Sequence, residues 1–119
     1  MTAKLNHTNI LLVDDDPAVR NICRIILESA GYTVIEADSP LTAIEFWKIY
    51  AQDIDMLVTD YDMPELTGLE LLTFLRISNP KLKVLLISGN CQEPIPASVI
   101  FLQKPFSPSI LTETVRRCI

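Results

Sequence analysis

The sequence predicts an α/β fold, a doubly wound sheet of five parallel strands with helices packed on it. Three observations carry this expectation. Short apolar runs alternate with stretches of helical periodicity along the chain, the pattern of parallel βαβ units. The chain has 119 residues, 49% of them hydrophobic, which suits one domain with a real core and excludes disorder as its main state. Four of the runs stop at polar groups of different kinds: Asp14-Asp15-Asp16 after 10–13, Asp60 after 56–59, Ser88 after 84–87 and Lys104 soon after 99–102. Open α/β sheets bind ligands outside the carboxyl ends of their strands, so these groups are candidates for a common edge.

Residues 1–8 read as a polar tail and residues 9–119 as the domain. The first strand covers 9–13, apolar and β-rich, hence central in the sheet. Asp16-Pro17 opens a helix, with Asp as N-cap and Pro at the first helical position. Val19, Ile22, Cys23, Ile26 and Ala30 fall on one face of it, and Gly31 closes it. Residues 32–37 form the second strand. Ser39-Pro40 repeats the cap-and-proline signal before an amphipathic helix carrying Leu41, Ile44, Trp47 and Lys48, with Ala43 and Tyr50 alongside. The third strand covers 54–59. A loop through Pro64 leads to Thr67-Gly68 and a helix with Leu69, Leu72 and Leu75 at helical spacing, which Asn79-Pro80 ends. Residues 83–87 and 99–102 supply the fourth and fifth strands. Ser107-Pro108 caps the last helix, with Ile110, Leu111, Thr114, Val115 and Cys118 along one side. Arg116 and Arg117 sit near its carboxyl end, where positive charge suits the dipole.

One segment breaks the alternation. Between Ser88 and Val99 a parallel crossover needs at least about 10–12 residues, usually with a helix inside. Pro94 and Pro96 forbid a regular helix there. The fourth helix is therefore expected to be shortened or absent, replaced by an extended or single-turn crossover.

Charge and cysteine usage narrow the function classes. A net charge of −5, with no basic run of five or more, argues against binding a nucleic-acid backbone. No apolar run approaches membrane-spanning length, and the polar amino terminus lacks a signal peptide's apolar segment. Cys23, Cys91 and Cys118 are odd in number and far apart, which suits free thiols and leads to the expectation of a cytoplasmic protein. There the Asn6-His7-Thr8 glycosylation pattern carries no meaning. His7, the only histidine, lies in the tail, where a lone histidine is far more often solvated than a ligand or base. Cys23 and Trp47 read as packing residues.

An isolated aspartate after a strand most often just opens a turn. A second acidic cluster changes that balance. If the strand ends converge, Asp14, Asp15 and Asp60 place carboxylates within a few ångströms of one another. Like charges that close repel by roughly several kcal/mol unless water or a cation screens them. A hard divalent ion resolves the conflict, and magnesium prefers carboxylate and carbonyl oxygens in octahedral geometry. Ser88 adds a hydroxyl and Lys104 an ammonium, so the pocket can hold a small tetrahedral anion. Such positioning and charge neutralisation are what phosphoryl transfer requires. A central carboxylate is then the nucleophile, forming an acyl phosphate, and Asp60 is the candidate because it ends the middle strand.

Val13-Asp14-Asp15-Asp16-Pro17, Thr59-Asp60-Tyr61-Asp62-Met63-Pro64 to Gly68, Ile87-Ser88-Gly89 and Gln103-Lys104-Pro105-Phe106 together resemble the motifs of two-component response-regulator receiver domains. They occur in the same order, and the resemblance covers roughly residues 9–119. It implies a flavodoxin-like strand order, 2-1-3-4-5. It also implies that Asp60 accepts a phosphoryl group from a sensor histidine kinase or phosphotransfer protein and switches a partner or attached output module. Asp15 and Asp60 are then direct ligands of Mg2+, with Mn2+ as a substitute. The backbone carbonyl of Asp62 helps, and Asp14 acts mainly through water. Ser88 and Lys104 contact the phosphoryl group. Phe101 takes the aromatic switch position and turns inward when Ser88 moves, and Lys104-Pro105 matches the family's cis peptide. Asp62 and Asn90 match two positions that tune hydrolysis of the acyl phosphate. No nucleic-acid binding, no membrane association and no catalysis beyond its own phosphorylation and dephosphorylation are implied, while output partner and oligomeric state stay open. The departure from the family is the fourth helix, whose loss puts the usual output face in doubt.

Two other readings compete. One is a receiver-like interaction module that no longer signals through phosphate, motivated by the short crossover. The other is an aspartate-nucleophile phosphohydrolase, since Asp60-Tyr61-Asp62 is an Asp-x-Asp pair. That motif usually lies on the first strand of a longer chain with a cap domain.

Overall fold

The five expected strands form a single sheet in the order β2-β1-β3-β4-β5, every neighbouring pair parallel. The structure, a computed structural model, describes residues 8–119. His7 and Asn6 lie outside the described residues. Along the chain run β1 (Asn9–Val13), α1 (Pro17–Ser29), β2 (Thr33–Ala37), α2 (Pro40–Tyr50), a 3-10 turn (Ala51–Asp53), β3 (Met56–Asp60), α3 (Gly68–Leu75), β4 (Lys83–Ser88), β5 (Ile100–Gln103) and α4 (Pro108–Cys118).

Strand side chains alternate between two cores. Leu11, Val13, Leu57 and Leu86 face one core with Trp47, Leu72 and Leu75 of α2 and α3. Ile10, Leu12, Val58 and Leu85 face the other with Leu27, Leu111 and Val115 of α1 and α4. A period of two thus buries both faces of the central strands, which is why these runs are apolar throughout. β3 is buried along its whole length, whereas the edge strands β2 and β5 are only partly covered.

The helix starts follow the sequence signals. Asp16 accepts from the amides of Ala18 and Val19. Ser39 caps α2 and Ser107 caps α4, each ahead of a proline. Thr67 and Glu70 form a reciprocal capping box on α3. Gly31 takes φ +101° just past α1, a conformation that favours glycine.

The helix faces differ in rotation from the expected ones. In α1, Ile22 is exposed and Leu27 is fully buried, so the inward face runs through Cys23 and Leu27. In α2, Leu41 and Tyr50 point outward, and Ala43 and Trp47 carry the packing. Ile110 likewise faces outward from α4. A β2 or β5 edge leaves part of each helix uncovered, so apolar residues flanking the stripe need not be buried.

Boundaries also move. β3 begins at Met56, because the 3-10 turn ends at Asp53 and the Asp55 amide donates to the Asn9 carbonyl at 2.8 Å. It reaches Asp60 itself, which pairs with Ile87. β4 and β5 each extend by one polar residue, Ser88 opposite Gln103. α3 stops at Leu75, well before Asn79-Pro80; three-residue bonds from Ile77 to Phe74 and from Ser78 to Leu75 tighten its end.

No helix forms between β4 and β5. Residues 89–99 run extended, with one turn closed by the Val99 amide on the Pro96 carbonyl. Cys91 and Ile95 of this strap pack against the Leu57/Leu86 core, together with Phe101. No helix among the described residues is long and apolar enough to cross a membrane.

Candidate functional site

The carboxyl edge of the sheet gathers Asp14, Asp15, Asp60, Ser88 and Lys104. β1 delivers Asp14 immediately after Val13, and the Asp14 amide donates to the Ala37 carbonyl at 3.3 Å. Its carboxylate Oδ1 accepts from the Asp16 amide at 2.9 Å, and Arg20 Nη1 donates to its main-chain carbonyl at 2.9 Å. Arg20 is held in turn by Glu36 at 3.2 Å. Asp15 follows on the surface, exposed.

Asp60 ends β3 with its side chain buried. Beyond it the chain doubles back: the Gly68 amide donates to the Tyr61 carbonyl at 2.9 Å, and Glu65 adopts φ +76° within the loop. Gly68 lies so close to the Asp60 peptide that a Cβ there would sit 2.4 Å from the Asp60 carbonyl oxygen. The glycine therefore sets how tightly this loop lies over the buried aspartate. It belongs to the quoted motif, yet its spacing alone gives it no role; only the approach of the two backbones does.

The three acids present ligand atoms within 4.8 Å of one another. Burial pushes the carboxyls of both Asp14 and Asp60 above the ordinary value of 3.8, and neighbouring acids add to the rise. Lys104 pulls the other way in both cases. Its Nζ lies 3.3 Å from Asp60 Oδ1 and 3.9 Å from Asp14 Oδ2. One ammonium thus faces three carboxylates, a net negative pocket that a hard cation suits. The donor set, all oxygen and two-thirds buried, fits a magnesium-like ion.

Ser88 is buried at the end of β4, its hydroxyl accepting from the Asn90 amide at 3.0 Å and finding no acceptor for its own proton among the described residues. Its carbonyl accepts from the Lys104 amide at 3.0 Å, tying the lysine's backbone to the same edge. The Lys104–Pro105 peptide is cis. Phe101 is half-buried on β5 opposite Leu86. Asp62 and Asn90 are exposed on the rim, and the Asp62 backbone works against the rise of the Asp60 carboxyl.

Two further contacts reach the site that residue spacing does not signal. The Tyr61 hydroxyl donates to Glu93 Oε2 at 2.6 Å, which clips the strap beside Asp60 and pushes the phenol up to about 12. The Thr59 hydroxyl donates to the Asp60 carbonyl at 2.9 Å.

The family model described as "Response regulator receiver domain" matches residues 10–116. The chain is 39% identical over 113 residues to a Brucella abortus protein named sensor kinase CckA, covering 90% of this chain and 12% of that protein. It is 33% identical over 109 residues to the putative two-component response regulator ARR21 of Arabidopsis thaliana, covering 88% of this chain and 18% of that one. The chain thus spans under a fifth of the length of either relative. Among solved structures, the receiver domain of the hybrid histidine kinase CckA superposes with a TM-score of 0.82 at 34% identity, covering 92% of this chain and 97% of that one.

Proposed function

We propose, from the premise that this chain belongs to the response regulator receiver domain family, that Asp60 is its phosphoacceptor in a two-component relay. The single observation supporting this most directly is Lys104 Nζ standing 3.3 Å from Asp60 while Asp14 and Asp15 crowd the same carboxylate.

In the proposed reaction an Asp60 carboxylate oxygen attacks the phosphorus of a donor phosphohistidine. The new O–P bond forms as the N–P bond breaks, and the imidazole leaves with the electron pair. Asp60 is already at the edge of the sheet with little water around it, so its oxygen meets the donor without a large desolvation step. Lys104 shifts its ammonium from the carboxylate to a phosphoryl oxygen, offsetting the added charge. Ser88 turns its free hydroxyl proton to a second oxygen. Asp14, Asp15 and Asp60, with the Asp62 carbonyl, are the groups that would hold Mg2+ or Mn2+. A bound divalent ion supplies Lewis-acid neutralisation of the phosphoryl charge. In this reading Phe101 follows Ser88 inward. Asp62 and Asn90 flank the mouth, where they bear on water approaching the acyl phosphate.

The donor in this reading is a histidine kinase or phosphotransfer protein, and the domain catalyses no reaction on other substrates. Incubation with a small phosphodonor and magnesium, followed by intact mass, tests it. One added phosphoryl group is expected on the wild type and none on Asp60→Asn. An unchanged gain on Asp60→Asn would move the acceptor elsewhere.

A further inference from the structure

The opposite edge of the sheet carries a second concentration of charge. Among the described residues, Arg20, Arg24, Lys48, Lys104 and Arg116 each pair with a carboxylate. Arg76, Lys81, Lys83 and Arg117 pair with none, and all four line one cavity of about 350 Å³. They reach it from three places: the α3–β4 connection, the first residue of β4, and the carboxyl end of α4. No acidic side chain lines the cavity.

Arg76 is fixed in place. It donates through Nε and Nη2 to the Leu82 carbonyl, and through Nη1 and Nη2 to Ser98. These acceptors are neutral, so its charge is not cancelled. Lys81, Lys83 and Arg117 are exposed and keep their donors. Burial pushes the Cys118 thiol up while Arg117 and Lys83 pull against it, so both charges act at one point of the cavity wall. Pro80, Val84 and Ile100 add an apolar side.

We infer that this cavity is a binding site for a small molecule carrying adjacent phosphates, a diphosphate or nucleoside polyphosphate. The charge matches: one phosphate carries about −1.5 to −2, so two or more neighbouring phosphates balance the cluster. The size matches as well, since ligand cavities start at about 300 Å³. The apolar side offers a wall for an organic moiety. An extended nucleic-acid backbone needs a basic stripe instead of a pocket.

Inorganic pyrophosphate is the probe, titrated calorimetrically into the whole chain at fixed ionic strength with EDTA present, so that no divalent ion recruits phosphate to the acidic edge. Saturable binding of one pyrophosphate is expected, weakened about tenfold or more in the double variant K83Q/R117Q. K48Q, which removes a paired charge elsewhere, and Asp60→Asn should bind like the wild type. Both substituted cationic residues are exposed, so the double variant is expected to fold; far-ultraviolet circular dichroism checks this. Equal weakening in K48Q, or heats no larger than those of matched sodium chloride, overturns the site. A polyglutamate peptide that binds through Lys83 and Arg117 more tightly than pyrophosphate overturns the ligand class in favour of an acidic protein segment.

Discussion

The two edges of the sheet do the same thing with opposite charge, and burial makes them unequal. At the carboxyl edge Asp14 and Asp60 are nearly inaccessible, and among the described residues Lys104 is the one close counter-charge. At the amino edge Lys81, Lys83 and Arg117 stand in solvent around Arg76. A buried charge loses its hydration and must find a counter-ion or a proton; an exposed one is screened by water and salt. The acidic edge therefore holds free energy against its empty, ionised state, whereas the basic edge can wait for a ligand at little cost. Perturbations of the first should register strongly in stability, and those of the second mainly in binding.

The largest effect is expected from Gly68→Ala. The added Cβ meets the Asp60 carbonyl at 2.4 Å and Leu86 Cδ1 at 2.7 Å. Leu86 can rotate, but the Asp60 peptide belongs to a fully buried strand and cannot move without breaking the ladder to β4. We expect a loss of roughly 2–3 kcal/mol, as for overpacked cores. Urea denaturation measures it. A loss under about 0.5 kcal/mol, the range of ordinary surface changes, would mean that the acidic edge is less rigid than its burial implies.

Magnesium comes next. An ion that binds the folded acid cluster and not the unfolded chain stabilises by mass action, about 2.7 kcal/mol at a hundredfold excess over Kd. Millimolar magnesium should raise Tm by several degrees in the wild type, and Asp15→Ala should lose most of that gain. Sodium chloride at the same ionic strength is the control; an equal rise in both salts would sink the metal assignment.

The pH dependence without metal follows from the raised carboxyls. A carboxyl held above its unfolded value binds its proton more tightly when folded. Its contribution to stability is complete below the unfolded value of 3.8 and is lost as pH rises through the raised folded value. In EDTA, the wild type should therefore lose stability relative to Asp60→Asn as pH climbs from about 4 toward neutrality. Magnesium should remove the difference in slope. Thermal melts of the two proteins across that range test this, and parallel curves would show that Asp60 sits at its ordinary value.

Much of the acidic edge could be read from the chain because each of its groups follows an apolar run. Val13 and Thr59 lead straight into Asp14 and Asp60, and Ile87 into Ser88, so strand and site are announced together. The prolines at 94 and 96 likewise gave away the missing helix. The basic edge had no such signature. Arg76, Lys83 and Arg117 lie in separate segments with unremarkable neighbours, and only the antiparallel run of α4 against the strands brings the end of the chain to the start of β4. Helix rotation was illegible for a related reason: Ile22 and Leu27 are equally apolar, and which of them is buried depends on where the sheet ends.

The strap joins the two edges, and it frames the smallest effect. It replaces a helix with eleven residues of mostly extended chain, clipped to Asp60's neighbour by the Tyr61–Glu93 bond and to the basic edge by Arg76 on Ser98. Arg76 anchors through several donors, so that end should stay put when a single bond is removed. At the Tyr61 end Cys91 and Ile95 pack on the core and one hydroxyl holds Glu93, and the Tyr61 ring itself remains buried. Tyr61→Phe keeps the ring and deletes only the donor. Global stability should change little, because Glu93 is exposed and regains water. Amide hydrogen exchange should instead accelerate at Asn90, whose amide donates to the Ser88 hydroxyl beside this clip, while Val99, bonded to Pro96 next to the Arg76 anchor, keeps its protection. Exchange that speeds up equally at both ends would show the strap to be one cooperative unit, with no independent grip at the basic edge.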